Sequence, residues 1–245
     1  MGSFYYDLHI HSCLSPCGDD DMTPGNIVGM ARLIGQDIIA LTDHNSCRNC
    51  PAAAALAEDA GLVFVPGMEL TTSEDAHVIC LLPDMDSAMA FDEFIESKTH
   101  FLRHKPEKMG QQQIMDKNDN LIGTIDRSLF MATQISIDDV PKIIADFGGV
   151  SFPAHINRPS FSVTSVLGVF PDWAGYKAVE IASAASLFEQ VSRWPEIAPL
   201  IKLRSSDAHY LEDMGEKFGW IALAERSAKA LIDALKSGIA VTGED

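Results

Sequence analysis

Three short stretches carry the residue types that hold metal ions: "DLHIHS" at 7–12, "LTDHN" at 41–45 and "SSDAH" at 205–209. Between them stand Glu69 in "GMELTT", His77 in "AHVI" and His155 in "PAHINRP". Imidazole nitrogen and carboxylate oxygen together suit zinc, iron and manganese better than magnesium, which prefers an all-oxygen shell. His9 and His11 are two residues apart, and alternate side chains of a strand share a face, so both rings can reach one ion. Taken singly, each stretch has a plainer explanation: two half-buried histidines at a strand end, a helix-capping turn in "TDHN" or "SDAH", a surface carboxylate at Glu69. Taken together, six of the eight histidines, with Asp43, Glu69 and Asp207, fall at the ends of candidate strands. That joint placement predicts a multinuclear metal site.

Strands must carry these residues to one place. Candidate strands cover 5–11, 37–45, 62–70, 76–83, 148–156, 177–183, 201–209 and 218–224, and helical stretches alternate with them at 24–35, 50–61, 87–104, 137–148, 186–194 and 226–238. Pro24 opens a helix, and Gly35, Gly61, Gly148 and Gly238 close others. The alternation predicts a parallel sheet with crossover helices. An α/β barrel of this kind runs to roughly 250 residues and gathers its chemistry at the C-terminal strand ends. The chain has 245 residues and reads as one domain over 1–245. Residues 105–137, polar and containing "DKNDN", depart from the alternation and read as a hairpin-like insertion. His100 and His104 lie four apart on a candidate helix in the basic stretch "KTHFLRHKPEK" and read as a solvated face able to attract an anion.

Bulk properties narrow the function. Hydrophobic residues make up 47 % and charged residues 22 %, as in a soluble globular protein. No apolar run reaches the roughly 20 residues of a membrane span, and no signal-peptide pattern opens the chain, so a cytoplasmic location is expected. A formal charge of −17 repels long polyanions, which predicts a small phosphate ester as partner, with no long nucleic acid and no membrane. The five cysteines are odd in number. Cys13 with Cys17 and Cys47 with Cys50 form CxxxC and CxxC pairs, which leaves either a structural zinc site or free thiols.

The order HxH, TDH, GxE, H, H, DxH, running over almost the whole chain, resembles the polymerase and histidinol phosphatase (PHP) superfamily, and within it the stand-alone phosphoesterases. The resemblance implies a distorted (β/α)7 TIM-like barrel with a trinuclear metal site at the strand C-terminal face. By it, His9, His11, Glu69 and Asp207 hold the first ion, and Glu69 bridges to a second completed by His77 and His155. A third ion takes His44, His209 and an aspartate from the loop after the first strand. Family members often read "HSxxSDG" in that loop. Here "HSCLSPCGDDDMTP" is longer and offers three aspartates. Counting back from Pro24 selects Asp19, with Asp20 as the alternate.

The chemistry so implied is hydrolysis of a small phosphomonoester or phosphodiester, nucleotide-like or a short oligonucleotide end, with two to three divalent ions of manganese, iron or zinc. Two cations about 3.5–4 Å apart share a bridging hydroxide and aim it at phosphorus. Asp207 or His209 relays the proton that the leaving group needs. Arg158, in "HINRPS", either grips phosphate or is a surface arginine, and Arg48, after "TDHNS", is a second phosphate candidate. Two rival readings are an amidohydrolase, which shares HxH but bridges its ions with a lysine that no strand end supplies here, and a metal-binding module without catalysis.

Overall fold

Local sequence rules set the element boundaries. In a computed structural model, which describes residues 1–182, 186–215 and 217–243, the first half runs β1 (Gly2–Asp7), α1 (Pro24–Ile34), β2 (Ile38–Leu41), α2 (Cys50–Ala60), β3 (Val63–Thr71), β4 (His77–Leu81) and α3 (Met85–Ser97). The second half runs β5 (Gln113–Met115), β6 (Leu121–Thr124), α4 (Val140–Asp146), β7 (Val150–Pro153), α5 (Val163–Leu167), β8 (Ala178–Glu180), α6 (Leu187–Arg193), β9 (Ile201–Leu203), β10 (Gly219–Leu223), α7 (Ala228–Ser237) and β11 (Thr242–Gly243). Helix α1 shows why the boundaries fall where they do. The Thr23 hydroxyl caps the Asn26 N–H, Pro24 fills a first-turn position that needs no N–H, and Gly35 ends the helix in the left-handed conformation.

Seven strands pair in the order β11–β10–β1–β2–β3–β4–β7. Strands β1, β2 and β3 are parallel, whereas β3–β4, β4–β7, β1–β10 and β10–β11 are antiparallel. The expected all-parallel sheet is therefore corrected to a mixed one. Only residues 72–76 join β3 to β4, and a parallel crossover needs a dozen or more residues. The parallel pair β8–β9 forms a separate two-stranded sheet. The Ile156 N–H donates to the Glu180 carbonyl at 3.0 Å, and the Asp207 and His11 N–H groups donate to the His9 and Ala208 carbonyls at 2.9 and 3.0 Å. The curled sheet β1–β2–β3–β4–β7, linked by these bonds to the separate pair β8–β9, gives the distorted seven-strand barrel that the resemblance implies, with β10 and β11 attached beyond β1.

Both faces of the sheet are buried, which is why β2 reads as the continuous apolar run "IIAL". Ile39 and Leu41 belong to one apolar cluster with Met68, Ile27 of α1, Ala53 of α2 and Phe91 of α3. Ile38 and Ala40 belong to a second, with Val65, Phe152, and Leu231 and Leu235 of α7. With its apolar core packed on both sides, the barrel is a rigid frame for whatever its strand ends display.

Residues 113–124 form the antiparallel hairpin β5–β6. Its turn is built by Asp116, whose Oδ1 accepts from the N–H groups of Asn118 and Asn120 at 2.8 and 2.9 Å. The hairpin and its flanks lie over the strand ends. Asn45 Nδ2 donates to the Leu129 carbonyl at 2.8 Å, Arg127 Nη2 to the Asn45 carbonyl at 3.1 Å, and the Gly110 N–H to the Pro16 carbonyl at 2.9 Å. Helix α3 stops at Ser97, where Thr99 Oγ1 takes the Ile95 carbonyl at 2.9 Å. His100 and His104 therefore share no helix face, and His104 is not solvated: it is buried, its Nε2 donating to the Gly110 carbonyl at 2.6 Å. Among the described residues no helix is long and apolar enough to cross a membrane.

Candidate metal centre

The ladder of β1 ends at Asp7, yet an isolated bridge between Ile10 and Ala208 keeps the next residues extended. His9 and His11 consequently point the same way, with their Nε2 atoms 3.1 Å apart. A second bridge pairs His44 with Glu69. His155 and Asp207 sit at φ 28° and 52°, left-handed values that cost a residue with a Cβ roughly 1–3 kcal/mol and that concentrate at functional sites.

Glu69 is the hub. Its Oε1 lies 2.9 Å from His77 Nδ1, 3.2 Å from His155 Nε2 and 3.3 Å from His9 Nε2, and its Oε2 lies 2.9 Å from His44 Nδ1 and 3.3 Å from His11 Nε2. Asp207 Oδ1 is 3.2 Å from His9 Nε2 and 3.3 Å from His11 Nε2. Bonds of about 2.0–2.1 Å to a tetrahedral ion set its ligand atoms about 3.3 Å apart, so this spacing fits a cation held between them. The His44 Nδ1 and Glu69 Oε2 atoms, although only 2.9 Å apart and buried, lack hydrogen-bond geometry.

Charge balance among the site's own side chains follows from the same contacts. Burial opposes charge on His9, but Asp207, Glu180 and Glu69 hold its imidazolium well above the ordinary range. Burial likewise opposes charge on His11, which hydrogen bonds to Asp207 and Glu69 nonetheless push up to about 9. His44 and His209 go the other way, burial lowering them to about 3 and about 4. Burial favours the neutral acid at Asp207 and Glu69, yet the surrounding imidazoles keep both carboxylates well below their usual range.

A second layer fixes each ring. Both oxygens of Glu180 lie 3.1 Å from His9 Nδ1, which leaves Nε2 for the cluster, and Glu180 Oε1 also accepts from the His155 N–H at 3.0 Å. His11 Nδ1 meets Ser15 Oγ at 2.8 Å, and that hydroxyl donates to Asp43 Oδ1 at 2.7 Å. Asp43, one of the strand-end carboxylates, thus orients rather than ligates: the Ser12 N–H and hydroxyl donate to its two oxygens, at 2.7 Å each. The Asp207 carbonyl accepts from His209 Nδ1 at 2.9 Å, which leaves His209 Nε2 free. The reading of the sequence missed Glu180. Its signal was a lone carboxylate ending the apolar run "KAVEI", at a barrel strand end like the others.

The structure brings together His9, His11, His44, Glu69, His77, His155, Asp207 and His209, and it separates others. Asp19 does not converge: its Oδ1 accepts from the Asp21 N–H at 2.9 Å, and Asp20 Oδ1 accepts from Gln113 Nε2 at 2.7 Å. The Asp19 N–H is committed to the His209 carbonyl at 2.9 Å, and no group of metal-type side chains among the described residues includes its carboxylate. Arg48 stands apart from the cluster. Its Nε lies 2.6 Å from Asp92 Oδ2, a fully buried carboxylate, and it lines a separate cavity with Glu96 and Arg127. All five cysteines are free, and Cys47 and Cys50 point to the Gly67 carbonyl, so the CxxxC and CxxC pairs build no common zinc site. Arg158 does reach the cluster, with Nη1 2.6 Å from Asp207 Oδ2.

The cluster floors a cleft of about 190 Å³, open on one side and walled by Phe130, Arg158, Ser160 and Phe161. Phe161 stacks on His77 with centroids 4.8 Å apart, and Phe130 tilts against His44 at 5.2 Å.

Comparison with known proteins agrees with this architecture. The sequence profile of the PHP domain matches residues 7–146. A 5'-3' exoribonuclease of Haemophilus influenzae is 24 % identical over 90 % of this chain and 93 % of its own. A 3',5'-nucleoside bisphosphate phosphatase of Chromobacterium violaceum is 24 % identical over 77 % of this chain and 80 % of its own. Among solved structures, the lesion-specific endonuclease PfuEndoQ from Pyrococcus furiosus superposes with a TM-score of 0.72 at 15 % identity, over 96 % of this chain and 56 % of the endonuclease. A structure of Endonuclease Q in complex with a 27-mer duplex bearing an abasic lesion is similar over 57 % of its chain, with a TM-score of 0.70 at 16 % identity over 96 % of this chain. The chain likewise spans 58 % of an uncharacterized protein of Methanocaldococcus jannaschii, to which 99 residues, 37 % of this chain, are 31 % identical.

Proposed function

The chain belongs to the PHP domain family, and from that premise we propose that it is a metal-dependent hydrolase of phosphoester bonds. The observation that carries the reading is Glu69, one carboxylate facing five imidazoles, a donor set made for more than one cation. His9, His11, Glu69 and Asp207 form the first position, and Glu69, His77 and His155 the second. His44 and His209 belong to a third position at the cleft. Divalent ions bound there supply activated water at neutral pH and compensation of charge on the phosphoryl group.

The chain's own residues do the rest. Glu180, Ser15 and the Asp207 carbonyl hold the three rings of His9, His11 and His209 with Nδ1 turned away and Nε2 presented. Arg158, anchored on Asp207 through Nη1, has further guanidinium donors for a phosphoryl oxygen. Asp207 is held ionised by His9 and His11 and is a poor proton carrier near neutrality. His209, whose Nδ1 donates to the Asp207 carbonyl, would give its Nε2 to the third position and so carries no proton; the leaving group takes its proton from water in the open cleft.

A small phosphomonoester or phosphodiester, or a short oligonucleotide end, fits an open cleft of this size in a chain of charge −17. The names of the bisphosphate phosphatase and the exoribonuclease support that substrate class. The duplex carried by the longer Endonuclease Q keeps nucleic acid within it, so the net charge alone does not exclude a polynucleotide. Hydrolysis of p-nitrophenyl phosphate and of its bis ester by protein loaded with manganese, iron or zinc tests the proposal. Metal-dependent release of p-nitrophenol from either ester is the expected result. Bound metal with neither ester cleaved would favour the inert module.

A further inference from the structure

Cys17 stands where a carboxylate was expected. Its Sγ and one ring nitrogen from each of His11, His44 and His209 all lie within 4.8 Å of one another. The residue also lines the cleft. Among the described residues its thiol has no hydrogen-bond acceptor, whereas Cys47 donates to the Gly67 carbonyl at 3.2 Å, Cys50 to the Leu41 carbonyl at 3.6 Å and Cys80 to the Val78 carbonyl at 3.9 Å.

The loop that carries Cys17 is fixed from four sides. Within it, the Ser15 N–H donates to the Ser12 carbonyl at 3.0 Å and the Gly18 N–H to the Ser15 carbonyl at 2.9 Å. Across it, the Asp19 N–H reaches the His209 carbonyl at 2.9 Å, and the Gly110 N–H of the insertion holds the Pro16 carbonyl at 2.9 Å. The turn is so tight that a Cβ on Gly18 would meet the Ser12 carbonyl oxygen at 2.2 Å. These ties set Cys17 beside His209, and among the described residues it is Cys17, not Asp19 or Asp20, that groups with His11, His44 and His209.

Resting on the metal centre proposed above, we propose that Cys17 is a thiolate ligand of the third ion, together with His44 and His209. The step is simple: the thiol proton leaves to water as sulfur bonds the cation, because a coordinating thiol is deprotonated outright. Its consequence is selectivity. A soft thiolate beside two imidazoles favours zinc, cobalt or ferrous iron over manganese and magnesium at this position. The first two positions, built of imidazole and carboxylate, remain open to manganese.

Cobalt(II) reconstitution reads the ligand directly, through the near-ultraviolet sulfur-to-cobalt charge-transfer band that only a bound thiolate gives. The wild-type protein loaded with cobalt should show the band. Cys17→Asp should bind as much cobalt without it, Cys17→Ser should lose both the band and part of the cobalt, and Cys13→Ser should keep both. Cobalt bound with no band in the wild type, or a band that survives in Cys17→Asp, would overturn the thiolate while leaving the metal centre standing. Failure of the wild-type protein to bind any cobalt would remove the metal centre itself, and the thiolate with it.

Discussion

Glu180 faces His9 with both carboxylate oxygens, each 3.1 Å from Nδ1, and both residues are fully buried. A carboxylate behind a ligating imidazole fixes its tautomer and raises its basicity, and losing such a partner typically costs 10–100-fold in metal affinity. Glu180→Gln should weaken binding of the tightest ion by about that factor, measured by chelator competition. The glutamine keeps an acceptor for the His155 N–H, so a small change in melting temperature is expected. Unaltered affinity would show that His9 needs no such support.

Arg158 should act on substrate rather than on the fold. A charge-assisted hydrogen bond is worth roughly 1.5–3 kcal/mol, so Arg158→Ala should raise KM by about tenfold or more and lower kcat less. Unchanged kinetics would take Arg158 out of the site.

Arg48 gives the opposite expectation. It neutralises Asp92, whose Oδ1 also accepts from the Ser46 hydroxyl and the Cys47 N–H at 2.8 and 2.7 Å. Arg48→Met should lower stability by about 1–3 kcal/mol in denaturant unfolding, with KM unchanged. A raised KM at full stability would return Arg48 to the phosphate site.

Loading the site should move protons. Asp207, Glu180 and Glu69 favour the imidazolium forms of His9 and His11 against the pull of burial, whereas burial favours the neutral rings of His44 and His209. A cation needs the neutral ring, so binding at pH 7 should release protons, seen as heats that depend on the ionisation enthalpy of the buffer. The sign for stability follows. The folded-state value of His11 is raised from 6.5 to about 9, so its contribution is fully present below about 6.5 and is lost as pH rises through 9. The ion-free protein should therefore melt progressively lower across that window, and the loaded protein should not. Binding heats independent of buffer would contradict this.

Much of the site was legible because ligand types recur at strand ends. His9, His11, Glu69, His77 and Asp207 lie within sequence patterns that survive any change in how strands pair. The pairing is legible only in part: alternation of strand and helix predicts parallel neighbours, but no helix separates β3 from β4, and the short link at 72–76 reverses β4. Glu180 was hidden because one acid in an apolar run reads as an ordinary strand residue until its partner, 171 positions away, is known. Counting along the chain selects Asp19, but the loop, held by hydrogen bonds to His209 and Gly110, places Cys17 among the histidines instead. The sequence runs helix α3 on to 104 because residues 98–104 carry no proline or glycine, whereas a bond from the Thr99 side chain closes it at Ser97.

The most direct test is elemental analysis of the purified protein beside Glu69→Gln, each stripped and reloaded with manganese, iron or zinc. The account predicts two or more ions per wild-type chain and a loss of at least one in Glu69→Gln, with loss of phosphoester hydrolysis. A wild-type chain that binds none of the three metals, or a Glu69→Gln protein with full metal content and full activity, would contradict it.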